Sequence, residues 1–76
     1  MELSTFVSNF AEQFEETEDS LFTSETKFKD LEEWSSLVAL MLISMIDEEY
    51  NIKTTGDDIR KVSSIQELFD IVKSKI

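Results

Sequence analysis

The 76-residue sequence has no cysteine, no histidine and no proline, and a single glycine. Without cysteine there are no disulfides, no thiolate metal ligands and no thiol nucleophile belonging to the protein itself. Without histidine the chain lacks the side chain that titrates nearest neutrality. The two commonest zinc ligands are missing together. One glycine cannot build the glycine-rich loops that cradle phosphates. A self-contained catalytic centre is therefore not expected. Long hydrophobic runs are missing too: the most apolar stretch, 37–46, is interrupted by Ser44 and is too short to span a bilayer. The opening Met1-Glu2-Leu3-Ser4 carries neither the basic stretch nor the apolar run of a secretory signal. A cytoplasmic protein without membrane insertion is the expectation.

Positive charge is scarce. Seventeen acidic residues face seven basic ones, a formal net charge of −10. Such a surface repels the phosphates of nucleic acid and of anionic lipid, and favours basic partner surfaces. The interleaving of basic and aromatic residues found in nucleic-acid binders is absent, so no nucleic-acid partner is expected. The carboxylates come in runs: Glu15-Glu16, Glu32-Glu33, Asp47-Glu48-Glu49 and Asp57-Asp58. Sequence neighbours do not converge on a metal without special geometry, and the calcium-loop spacing is missing. A solvated acidic surface is the plain reading, with no metal site.

A chain of this length makes one domain, residues 1–76, with a narrow stability margin. Its periodicity is helical throughout. Leu3, Phe6, Val7, Phe10 and Phe14 form one apolar stripe, which predicts a first helix over 3–16. Residues 17–35 carry many hydroxyls and carboxylates that compete with helix hydrogen bonds, which predicts a long loop. Leu21, Phe22, Phe28, Leu31 and Trp34 should pin that loop to the core. Ser35 or Ser36 can cap a second helix reaching about Tyr50. That helix is apolar nearly all round, so it is either central and buried or keeps one apolar edge for a partner. A turn over 51–55 leads into Gly56 and a short helix near Asp57-Asp58-Ile59-Arg60. Ser64 and Glu67 have capping-box spacing, and Ile65, Leu68, Phe69 and Val72 supply the stripe of a final helix. The fold class is all-α: a four-helix bundle of three main helices and one short one, with a long loop between the first two. A monomer is the default.

Trp34-Ser35-Ser36-Leu37 stands where the anchored loop meets the apolar second helix. A phosphate ester on a serine here would lie beside unpaired helix N–H groups and the positive end of the helix dipole. No histidine or cysteine can activate the hydroxyl, so it suits a passive acceptor modified by another enzyme. From spacing and chemistry alone, the plainer reading is that Ser35 and Ser36 are merely helix caps.

With these residues in view, the chain resembles the acyl carrier proteins. The resemblance rests on Phe28-Lys29-Asp30-Leu31-Glu32-Glu33-Trp34-Ser35-Ser36-Leu37, on Ile46-Asp47-Glu48-Glu49-Tyr50-Asn51-Ile52, on Asp57-Asp58-Ile59, and on Ser64-Ile65-Gln66-Glu67-Leu68. It covers nearly the whole chain in order and spacing. It implies an acyl-carrier-like bundle that holds an acyl or aminoacyl group as a thioester on a covalent 4′-phosphopantetheine arm. The family's Asp-Ser-Leu motif matches Ser35-Ser36-Leu37, which assigns attachment to Ser36 and puts Ser35 in the aspartate position. Implied partners are a phosphopantetheinyl transferase, an acyl- or aminoacyl-loading enzyme, and a downstream acyltransferase or ketosynthase. Glu32, Glu33, Leu37, Leu40, Met41, Asp47, Glu48, Asp57 and Asp58 are the implied contact residues. Met41 stands where carriers of fatty-acid biosynthesis often have an acidic residue, which implies a specialised pathway instead. The alternative is an unmodified carrier-fold subunit acting through protein interaction alone.

Overall fold

Leu3, Phe6, Val7 and Phe10 form one face of helix α1, Leu3–Ala11, in the computed structural model, which describes residues 1–76. Phe6 and Phe10 are fully enclosed, and Leu3 and Val7 pack against them from the rim. The helix stops short of the span 3–16 that its apolar stripe predicts. Gln13 and Phe14 turn their N–H groups to the carbonyls of Phe10 and Ala11, at 3.1 and 3.0 Å, which tightens the last turn. The next three N–H groups, of Glu15, Glu16 and Thr17, all donate to the Glu33 carboxylate at 2.7–3.0 Å. A longer helix would need those donors for its own carbonyls. Phe14 stays buried all the same, stacked on Phe10 with centroids 5.6 Å apart.

The connection to the second helix is long, as expected, and contains two single 3₁₀ turns, Asp19–Leu21 and Phe28–Asp30. Phe22 and Phe28 are buried, with Leu31 and Trp34 packed partly against the core. Leu21 is not one of the anchors: it is 56% exposed. Its neighbour Phe22 takes the inward position on this 3₁₀ turn.

Helix α2, Ser36–Tyr50, begins at the cap Ser35 and ends at Asn51, which adopts the left-handed conformation at φ 57° and donates its N–H to the Asp47 carbonyl. Helix α3, Gly56–Lys61, is short and opens with a capping box between Thr55 and Asp58. Helix α4, Ile65–Ser74, opens with the Ser64–Glu67 capping box that the spacing predicts. The loop carbonyls of Thr26 and Ser24 accept from the N–H groups of Ile65 and Gln66, at 3.3 and 2.8 Å. Those two N–H groups would otherwise be orphans of the helix end, so the loop and α4 complete each other.

The four helices enclose one core. Its largest fully enclosed side chains include Phe6, Phe10, Phe28, Leu42, Ile46 and Leu68. The radius of gyration, 11.1 Å, matches the roughly 11 Å expected for a packed chain of this length, so the long loop is folded in. No helix is long and apolar enough to cross a membrane. Because Phe10 touches Phe14, Phe22 and Phe28, truncating it strips α1 and the loop of a shared contact. Phe10→Ala is expected to cost about 3–5 kcal/mol, read as a lower urea midpoint, against the roughly 5–15 kcal/mol that domains typically possess.

Candidate functional site

The start of α2 is where the sequence concentrates its unusual features. Trp34 lies edge-on to Phe28 with centroids 5.0 Å apart, which fixes the chain just before the helix. Ser35 follows with extended backbone, and its Oγ accepts the Val38 N–H at 3.3 Å. Its carbonyl accepts the Ala39 N–H at 3.0 Å. Ser35 is therefore the cap. Ser36 is the first helical residue, exposed, with a hydroxyl that makes no hydrogen bond within the protein. The N–H groups of Ser36 and Leu37 likewise have no protein acceptor. Between the two serines left open by the sequence, one is committed to structure and the other is free.

Two grooves flank α2. One, of about 500 Å³, runs from Ser36 between α2 and α3. Trp34, Ala39, Leu40, Ile43 and Ile59 give it an apolar wall, and Lys29 and Arg60 stand at its edge. The Lys29 ammonium donates to the Arg60 carbonyl at 3.0 Å, and the Arg60 guanidinium is ion-paired with Asp57. Two of the chain's seven basic residues thus border the groove that contains Ser36. Neither was singled out as a site residue from the sequence, because only the packing of α3 beside α2 brings Arg60 there. The other groove, of about 580 Å³, lies between α1 and α2. Leu37, Leu40 and Met41 line it together with Glu12, Glu48 and Glu49.

Helix α2 is covered on one side and open on the other. Val38, Leu42, Met45 and Ile46 are buried, while Ala39, Ile43 and Tyr50 pack partly against the core. Leu37 and Leu40 remain 67% and 61% exposed, and Met41 is half-buried. An apolar edge is left open to solvent beside Ser36. Glu32 and Glu48 are exposed and free of ion pairs. Asp47 is paired with Lys53 at 2.6 Å.

Two of the expected contact residues have other employment. Glu33 accepts three backbone N–H groups and the Thr17 hydroxyl at 2.8 Å. Asp58 accepts the Thr55 N–H in its capping box and faces Lys75 at 3.4 Å. Burial pushes the Glu33 carboxyl up, but the hydrogen bonds from Glu15, Thr17 and Glu16 outweigh it and hold its pKa below the usual carboxylate range. The Thr55 N–H, chiefly, holds Asp58 below its ordinary value. The Ser63 and Ser64 N–H groups do the same for Glu67. No sequence periodicity announces the Glu33 contact, since donors and acceptor lie 16–18 positions apart.

No protein-family model and no curated protein matches the chain.

All three lowered carboxyls act on stability in the same direction. The folded form binds fewer protons than the unfolded form below the ordinary carboxylate pKa, so stability rises with pH there and is lost on acidification. Thermal midpoints recorded from roughly pH 7 down through pH 3 should fall below about pH 4. Glu33→Gln is expected to lower the midpoint at neutral pH and to flatten part of that acid limb. Asp58 and Glu67 should retain the remainder.

Proposed function

We propose that the protein is a carrier, bearing a 4′-phosphopantetheine arm on Ser36 and presenting the attached group to partner enzymes. The observation that carries this reading is the exposed, unbonded Ser36 hydroxyl on the first turn of α2, opening onto a groove with cations at its edge and an apolar wall. A phosphodiester at Ser36 would sit beside the unused N–H groups of Ser36 and Leu37. Lys29 and Arg60 are the cations available to it in an otherwise acidic molecule. Ala39, Ile43 and Ile59 suit the apolar portion of the arm. When bound, the arm supplies the thiol that this cysteine-free chain lacks, on which acyl or aminoacyl groups are carried as thioesters. The protein's own part is to hold the attachment point rigid and to present a docking face.

That face is the open edge of α2. Leu37, Leu40 and Met41 offer apolar contact, and the free carboxylates Glu32 and Glu48 favour a basic partner surface. The transferase, the loading enzyme and the downstream acceptor would each have to use it in turn. The same edge also favours the second reading, an interaction subunit without a prosthetic group.

Intact mass after incubation with coenzyme A and a panel of phosphopantetheinyl transferases separates the two. Addition of one arm is expected in the native chain and none in Ser36→Ala. Ser35→Ala should still accept the arm while losing about 1 kcal/mol of stability with its cap. No addition by any transferase, together with a stable complex with a partner, would reverse the preference.

A further inference from the structure

We infer that the cargo is a short acyl or aminoacyl group carried outside the helical core, an inference that rests on the carrier reading. A long hydrocarbon chain on a tethered arm needs apolar space, and a carrier shelters it only if the helices leave room between them. Here that room is filled by rings. Phe14, Phe10, Phe28 and Trp34 touch in series, with successive centroids 5.6, 5.2 and 5.0 Å apart. Phe22 braces the same row, at 5.0 Å from Phe14 and 6.0 Å from Phe10. Elsewhere in the core Phe6 contacts Phe69 at 5.5 Å and Tyr50 at 5.8 Å. These are ring-contact distances, so the rings meet one another directly.

The row ends at the attachment point. Trp34 lies two positions before Ser36 and forms part of the groove wall while its ring packs edge-on to Phe28. A chain directed inward past Trp34 would have to separate that ring pair. In the core, Leu42, Ile46 and Leu68 have no solvent exposure at all. Separating closely packed side chains to insert methylenes strains the core instead of stabilising the chain. The space that does exist is superficial. The α2–α3 groove is bounded by Ala39, Ile43 and Ile59, and it can take the arm and a small group at its end.

The lack of cysteine allows a direct test, because Ser36→Cys introduces a unique thiol at an exposed position. Its thiolate displaces iodide from iodoacetamides carrying an ethyl or a dodecyl tail, leaving a thioether in each case. Thermal midpoints and amide proton–nitrogen spectra of the two conjugates are then compared. The expected result is an unchanged midpoint, with shifts confined to groove residues such as Ala39, Ile43 and Ile59. A dodecyl conjugate that melts several degrees higher and moves the amides of Leu42, Ile46 and Leu68 would overturn the inference. Transferase loading of the native chain is read separately by mass. Its failure overturns the carrier reading and the cargo with it, whereas entry of the long tail overturns the cargo alone.

Discussion

A small chain that places a long irregular segment between its first two helices must hold that segment by side chains, and here contact between aromatic rings does so. Phe10 and Phe14 come from α1 and its last turn, Phe22 and Phe28 from the loop, and Trp34 from the residue before the cap. Each ring touches at least one other in the row. Ordering the loop costs backbone entropy at every residue, and these are the contacts large enough to offset it. The row also determines where α2 begins. With Trp34 fixed on Phe28, Ser35 falls at the cap and Ser36 on the outer surface of the first turn. The site is thus a consequence of core packing, one residue removed from it.

Hydrogen bonds complete what the rings begin. The Glu33 carboxylate gathers the three N–H groups that follow Phe14, and the Ser24 and Thr26 carbonyls take those at the start of α4. Backbone groups that would have been stranded in an irregular segment are satisfied at both of its ends. This divides the acidic residues into two populations. Glu33, Asp58 and Glu67 are acceptors for backbone donors, and their charge belongs to the fold. Glu32 and Glu48 have no such partners, and their charge is free to act at a distance. The asymmetry extends along the chain: thirteen acidic and two basic residues lie in the first fifty, against four and five in the remainder. The excess negative charge is therefore carried by α1, the loop and α2.

Much of the architecture was legible because it is encoded locally. The Ser64–Glu67 spacing marks the start of α4, and the hydroxyl pair at 35 and 36 marks the start of α2, each by a contact spanning three residues. The apolar stripe of α1 correctly picks out Phe14 as buried, yet it misplaces the helix end. The donors that end α1 are claimed by Glu33, which no window of helical length includes. The same limit applies to the site. Ser36 stands out in sequence because serine precedes an apolar helix there, but Lys29 and Arg60 reach its groove only through tertiary packing. For α2 the pattern was apolar on every side, and periodicity alone could not say which edge the other helices would cover. The packing of α1 and α3 against α2 leaves Leu37 and Leu40 outside.

Serine at position 35 can be weighed against an aspartate there in these terms. Serine and aspartate cap a helix about equally well, so the first turn does not require a carboxylate, and the Ser35 contact with Val38 meets the need. What the serine changes is charge. A carboxylate at position 35 would add a negative group beside any phosphate on Ser36, within reach of the same unpaired N–H groups. With serine there, those N–H groups face less competition, while Arg60 at the groove stays ion-paired with Asp57. On the carrier reading, the site is easier on a bound phosphate but gives up a charge by which an approaching transferase could orient. On that reading recognition shifts toward the apolar edge, where Leu37 directly follows the proposed attachment point and Leu40 lies one turn further along the same helix. A partner suited to this protein should therefore read shape and hydrophobic contact near Ser36, and charge only farther down α2 at Glu48.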